Sequence, residues 1–300
     1  MRVMSVRVLL LLIIGVPTLI LGGAKLIGFQ IPVPEWGRDY VQRFLLDPPP
    51  VEVEPLELPD ILGPDDEARP LIVLDAGHGG RDPGAVKRLP DGSEVYEKDI
   101  VFALTEAVRD KLLADGRFRV ALTRSDDVLV PLAYRPEIAR QLEADLFLSI
   151  HADSAGELSE VSGASIYTLS NEASSEAAAR FAERENAADR LNGISIADQS
   201  DEVSDILVGL SQQRTQEDAS EFSSLIAREG QGLIDFHPET RRSAALAVLR
   251  APDVPGVLFE SGFVTNDEDL AKLVTEEGRD AYAEVLAQAI RVYFARRSQT

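Results

Sequence analysis

Three histidines occur in 300 residues, and two of them stand where short apolar runs stop. His78 follows Leu71-Ile72-Val73-Leu74-Asp75-Ala76-Gly77 and precedes Gly79-Gly80, whereas His151 follows Leu146-Phe147-Leu148-Ser149-Ile150 and precedes Ala152-Asp153. A third run, Val257-Leu258-Phe259, ends in Glu260. Two neutral imidazoles and a carboxylate suit a catalytic zinc ion and leave its fourth position to water. A second carboxylate, outside the metal's ligands, would take the proton from that water. The chemistry expected of this pattern is metal-assisted hydrolysis, and it needs two acids beside the two histidines. The third histidine, His237, lies next to Pro238 and ahead of Arg241-Arg242. It reads as a local structural or substrate-contacting residue.

The elements that must position these groups follow from the apolar pattern. Each run is short, rich in branched residues and bounded by proline, glycine or polar residues, which fits a buried strand better than a helix. Gly77, Gly79 and Gly80 give the backbone after the first run conformations closed to other residues. From Asp99 to Ala114 the residues Ile100, Leu104, Val108 and Leu112 recur at helical spacing, with Asp99 the expected N-cap. A strand at Arg119 to Leu122 and a helix at Pro131 to Glu143 follow. This alternation predicts an α/β fold: one domain with a central, twisted, mostly parallel or mixed sheet flanked by helices. Ligands of such sheets bind at the carboxyl edge of the strands, so His78, His151 and Glu260 are expected to converge there.

Composition narrows the function classes. A formal charge of −21 argues against nucleic acid or anionic lipid as a partner through bulk electrostatics. The chain has no cysteine, which excludes disulfides, thiolate metal sites and a cysteine nucleophile. Residues 1–25 carry Arg2 and Arg7 ahead of an uninterrupted apolar stretch from Val8 to Ala24, an export signal read as a signal peptide or a membrane anchor. Small residues at Gly22-Gly23-Ala24 favour cleavage over retention, so the expected location is periplasmic, with the inner membrane a partner only if the segment stays. Residues 26–69 hold acidic residues and prolines at 32, 34, 48, 49, 50, 55, 59, 64 and 70 border or fill them, the composition of an extended linker. The compact domain is expected at 70–297.

Taken together, the motifs Leu74-Asp75-Ala76-Gly77-His78-Gly79-Gly80 with Asp82-Pro83-Gly84-Ala85, Tyr96-Glu97-Lys98-Asp99, Ser149-Ile150-His151-Ala152-Asp153 and Phe259-Glu260-Ser261-Gly262-Phe263-Val264-Thr265-Asn266 resemble, in order, those of the zinc-dependent N-acetylmuramoyl-L-alanine amidases of the amidase 3 family. The resemblance spans about three quarters of the chain. It implies that His78, Glu97 and His151 hold one zinc ion and that Glu260 is the catalytic carboxylate. Glu94, three residues before Glu97, is a rival third ligand by position; the Tyr-Glu-Lys-Asp context favours Glu97. Ala76 departs from the family, which often has proline there. The reaction implied is hydrolysis of the amide between N-acetylmuramic acid and the L-alanine of the peptidoglycan stem peptide.

Residues 171–230 are expected to contain a helical insertion, because structureless loops of this length are rare. Division-associated amidases, which the chain resembles, carry here a helix that covers the zinc and holds the enzyme inactive until a LytM-type activator withdraws it. Glu185, Glu202 and Asp205 are the candidate acids for such a metal contact. Cell-wall remodelling and daughter-cell separation would then be the setting. Two other readings compete: another exported zinc peptidase or carboxypeptidase, and a non-catalytic wall-binding division scaffold with a degenerate site.

Overall fold

The computed structural model describes residues 57–156, 158–191 and 205–298. The expected signal or anchor at 1–25, most of the linker and Glu202 lie outside the described residues. Among the described residues no helix is long and apolar enough to cross a membrane.

Eight strands and seven helices follow one another along the described chain. In order they are β1 (Leu71–Ala76), β2 (Val86–Arg88), β3 (Glu94–Tyr96), α1 (Glu97–Asp115), β4 (Arg119–Leu122), α2 (Tyr134–Gln141), β5 (Leu146–Asp153) and β6 (Ala164–Leu169). Then come α3 (Glu176–Asn186), α4 (Ala188–Leu191), α5 (Asp205–Glu229), β7 (Phe236–Ala244), β8 (Gly256–Phe263), α6 (Asp267–Val274) and α7 (Glu276–Arg297). Six strands form one sheet in the order β4-β1-β5-β8-β6-β7, and β2-β3 make a separate hairpin. All neighbours in the sheet are parallel except β6 and β8. The mixed α/β architecture expected from the alternating pattern is the one found.

Strands β1, β5 and β8 are buried along their whole length, as strands covered on both faces must be. Their alternation sorts the side chains. Leu148, Ile150, Val257 and Phe259 face a core shared with α1, α5, α6 and α7. Phe147, Tyr167 and Leu258 face a second core shared with α2 and α3. His151 and Glu260 follow the second set in period, and the register pairs them directly across β5 and β8.

One expectation shifts. Helix α1 begins at Glu97, two residues before the expected cap at Asp99, and Tyr96 caps it without a side-chain hydrogen bond. Backbone carbonyls substitute: Glu97 N–H donates to Ala85 O at 2.8 Å and Lys98 N–H to Pro83 O at 3.2 Å. Helices α3, α4 and α5 fall in the interval 171–230, where helical structure is expected. Helix α3 packs on the α2 face, capped by Ser175 Oγ accepting from Ala178 N–H. The later part of α5 packs on the opposite face, where Ala219, Phe222, Leu225 and Ile226 are core residues. That later part is a structural layer of the domain, which leaves α3 and α4 as the segment lying over the strand ends.

Candidate active site

The loop after β1 is built by force of contact. His78 sits at φ 58°, a left-handed conformation unusual for a residue with a side chain. Two buried arginines hold its backbone. Arg135 donates to Asp75 Oδ1, Ala76 O and His78 O, each at 2.8 Å, and Arg124 donates to Ala76 O at 3.0 Å and Gly77 O at 3.1 Å. Gly77 is needed for space, because a Cβ there would lie 2.4 Å from His151 Cε1. The loop therefore presses the two imidazoles together, their ring centroids 4.9 Å apart.

Glu97 enters from the first residue of α1. Its Oε1 lies 3.0 Å from His78 Nε2 and 3.2 Å from His151 Nδ1. Backbone donors fix the carboxylate, Ala152 N–H to Oε1 at 3.0 Å and Ala85 N–H to Oε2 at 2.7 Å. Gly84, at φ +64°, permits that approach, since a Cβ there would meet Glu97 Oε2 at 2.5 Å. Asp82 Oδ2, 2.9 Å from His78 Nδ1, sets the tautomer that leaves Nε2 facing Glu97.

The residues fit a metal ion on two independent grounds. One ligand atom from each of His78, Glu97 and His151 lies within 4.8 Å of the others. His78 Nε2 and His151 Nδ1 are also buried without a hydrogen bond, a costly state for polar atoms that a cation would relieve. Electrostatics agree. Burial favours a neutral His78, yet Glu97 and Asp82 outweigh it and push the imidazole well above its usual range. Burial likewise pushes Glu97 up, but His78 and His151 hold it well below the carboxylate range. The pocket stores negative charge around two imidazoles.

Glu260 stands beside His151, both of its oxygens buried and without a hydrogen bond. Burial, then the charges of Asp153, Glu97 and Glu185, push its carboxyl well above the usual range, partly offset by Arg184. A carboxylate of raised basicity next to a metal pocket can take and return a proton. Glu94 is elsewhere: on the exposed hairpin, it accepts from Arg88 at 2.8 Å and from Tyr96 at 2.9 Å. His237 is outside the cluster as well, its Nδ1 accepting from Glu239 N–H at 3.0 Å and lying 2.7 Å from Arg242 Nη2.

Helix α3 reaches into the pocket. Glu185 Oε2 lies 3.7 Å from His151 Nδ1 and 3.9 Å from His78 Nε2. The preceding Arg184 donates to Asp153 Oδ1 at 2.5 Å. Burial raises the Asp153 carboxyl to about 6 against the pull of Arg184. At the far end of α3, Asn186 donates to Ala245 O and accepts from Ala247 N–H, both at 2.8 Å. Of the three acids expected as candidates for a metal contact, Glu185 is the one brought to the cluster. Glu202 is outside the described residues, and so is the side chain of Asp205. A cavity of about 410 Å³ remains open beside the cluster, bordered by Pro83, Asp153 and Arg184.

Sequence reasoning missed Asp82, Arg124, Arg135 and the Arg184–Asp153 pair as working parts. Asp82 and Asp153 stand inside the quoted motifs and could have been singled out by their nearness to the histidines. Arg124 and Arg135 carried no such signal, because a lone arginine usually reads as surface.

Comparison with known proteins agrees with this geometry. The family model described as N-acetylmuramoyl-L-alanine amidase, amidase 3, matches residues 72–292. The amidase AmiA of Escherichia coli K12 is 38% identical over 225 residues, covering 75% of this chain and 76% of AmiA. AmiC of Neisseria meningitidis is 34% identical over 75% of this chain and 53% of its own length. Among solved structures, the CwlD amidase of Clostridioides difficile, in complex with the GerS lipoprotein, superposes with a TM-score of 0.56 at 25% identity over 75% of this chain and 98% of that one. The chain belongs to the amidase 3 family and is an N-acetylmuramoyl-L-alanine amidase acting on peptidoglycan.

Proposed function

We propose that the chain is a zinc-dependent amidase of cell-wall remodelling and daughter-cell separation, exported to the periplasm and held inactive by α3 until a LytM-type activator withdraws it. The observation that carries the zinc reading is the pair of buried, unbonded nitrogens, His78 Nε2 and His151 Nδ1, converging on Glu97 Oε1. A zinc ion held by these three residues supplies Lewis acidity to the scissile carbonyl and the attacking water. Glu260 takes the water's proton and hands it to the leaving amine of L-alanine. Asp82 and the backbone donors on Glu97 keep the ligands in register, and Arg124 and Arg135 hold the His78 loop rigid. The hydrolysis leaves a lactyl carboxylate on the glycan and a free amino terminus on the stem peptide.

The reading of α3 as an inhibitor rests on Glu185, which lies as close to the two imidazole nitrogens as a fourth ligand could with small adjustment. It blocks the place that a substrate carbonyl or water needs. CwlD, taken with its lipoprotein, is a relative solved with a protein partner, and a partner of another kind is proposed here.

Metal analysis combined with digestion of sacculi tests the catalytic part. Glu260→Ala is expected to keep one zinc per chain and to lower the release of peptides with new L-alanine amino termini by at least about a hundredfold, the usual scale for a general acid–base. Undiminished release by Glu260→Ala would sink the assignment, and so would full activity in a chain stripped of zinc.

A further inference from the structure

Beside the metal pocket lies a second polar cluster that the reaction does not use. Strand β6 sets Ser165 opposite Glu260 and Tyr167 opposite Leu258, and β7 sets Arg242 beside Tyr167. Residues opposite one another project from the same face of a sheet, so Tyr167 and Arg242 share the face of Glu260. The guanidinium of Arg242 runs back along β7 towards the catalytic edge. Its Nη1 donates to Tyr167 Oη at 2.9 Å, its Nε donates to Glu239 O at 3.1 Å, and its Nη2 meets His237 Nδ1 at 2.7 Å. The His237 ring is 6.2 Å from that of Phe263, at the end of β8. The Glu239 carboxylate lies 3.5 Å from Nε and is itself mostly exposed.

A buried arginine is costly unless its charge is matched. Arg242 is 8% exposed, and its partners are a phenol, an imidazole, a carbonyl and one loosely placed carboxylate. Burial and Arg242 itself lower the pKa of His237, which keeps that imidazole neutral and able to accept. Five N–H groups radiate from a guanidinium, more than these contacts use. What covers the cluster is α3. Phe181 stacks on Tyr167 with centroids 4.4 Å apart and an interplanar angle of 24°, and Arg184 sits over the outer face of Phe181 at 5.2 Å.

We propose that Arg242, oriented by Tyr167 and His237, is a specificity-determining residue that binds a carboxylate of the stem peptide, at a subsite that Phe181 roofs in the closed form. The roofing rests on the reading of α3 as a removable cover. The reach is right. Adjacent strands are about 4.8 Å apart, so β7 lies about 10 Å from β8, and an arginine side chain closes much of that gap. The residue that follows L-alanine begins within about 7 Å of the scissile amide, at about 3.5 Å per residue. A carboxylate on that residue meets the guanidinium, and an amidated one forfeits the charge-assisted bond. The amide is cleaved at the metal pocket, while Arg242 decides which stem peptide is held there.

Kinetics on two soluble muropeptides, identical except that the second stem residue carries a free carboxylate or a carboxamide, test the inference. The measurements are made in the full-length chain carrying Glu185→Ala, alone and together with Phe181→Ala, which takes away the ring stacked on Tyr167. The unaltered residue is expected to favour the acidic substrate about tenfold in kcat/KM, the scale of a hydrogen bond to a charged group. Arg242→Gln should bring that ratio close to one through KM, with zinc content and melting temperature retained, and Arg242→Lys should keep part of the preference. An unchanged ratio in Arg242→Gln overturns the proposal. An equal loss on both substrates also overturns it, because it reports damage to the fold rather than a lost contact. The ratio is read in both chains, so failure of Glu185→Ala to raise cleavage counts against the cover alone.

Discussion

Asp82 illustrates how much of the site depends on residues that touch no substrate. Its bond to His78 Nδ1 fixes which ring nitrogen faces Glu97, and its other oxygen accepts from Gly84 N–H at 3.2 Å, steadying the turn that lets Glu97 approach. Replacing it by alanine is expected to weaken zinc binding about 10- to 100-fold, the range for removing a partner of a metal-bound histidine. Competition with a chromogenic chelator measures this directly, and unaltered affinity would show that the loop alone orients the ring. Strand ends brought His78, His151 and Glu260 into view, because histidine and glutamate have few other uses there, while Glu97 was reached through the family resemblance alone. Neither gave warning of Arg135, whose charge is spent on three backbone and side-chain oxygens under the loop.

Among elements, α3 was legible as helix but not in where it packs. Its apolar face is only Ala178, Phe181 and Ala182, too small to reveal which surface it covers, and the long interval up to 230 disguised the fact that α5 belongs to the opposite layer. Strands β1, β5 and β8 were plain, since strands buried on both faces read as near-continuous apolar runs, broken before the catalytic ends by Asp75 in β1 and Ser149 in β5. The start of α1 was missed because loop carbonyls cap it, and no residue type announces that. Removing the Glu185 carboxylate separates the proposed role of α3 as a plug from its role in packing. Glu185→Ala is expected to raise cleavage without an activator by about tenfold or more while Phe181 keeps the helix folded. An unchanged basal rate, with the melting temperature also unchanged, would count against the plug.

At the scale of the whole molecule, Asp75 ties the layers together. It is buried between Arg135, Ser149 Oγ and Thr123 Oγ1, the two hydroxyls each 2.6 Å away, and so links β1, β5, α2 and the segment after β4. Burial works to raise its pKa, but Arg135 and the two hydroxyls prevail and lower it from 3.8. A carboxyl depressed by folding contributes its full stability above its unfolded value and loses that contribution as pH falls through the folded one. Urea unfolding of the folded domain is therefore expected to be insensitive to Asp75 ionisation near neutrality and to weaken below about pH 4. Asp75→Asn should cost about 3 kcal/mol at pH 7 by stranding Arg135 and should flatten part of the acid limb; an acid limb identical to that of the parent would refute the assignment. The stack of Phe181 on Tyr167 has a further consequence. Lifting α3 exposes Phe181 with Ala178 and Ala182, at a cost of about 3 kcal/mol, so fewer than about one molecule in a hundred opens unaided. An activator that merely nudged the helix would see it fall back. On the proposed reading of α3 as an inhibitor, activation is a matter of dose: each working enzyme would stay on only while its partner is bound, and the supply of partner, rather than a one-time trigger, would set how much wall is cut.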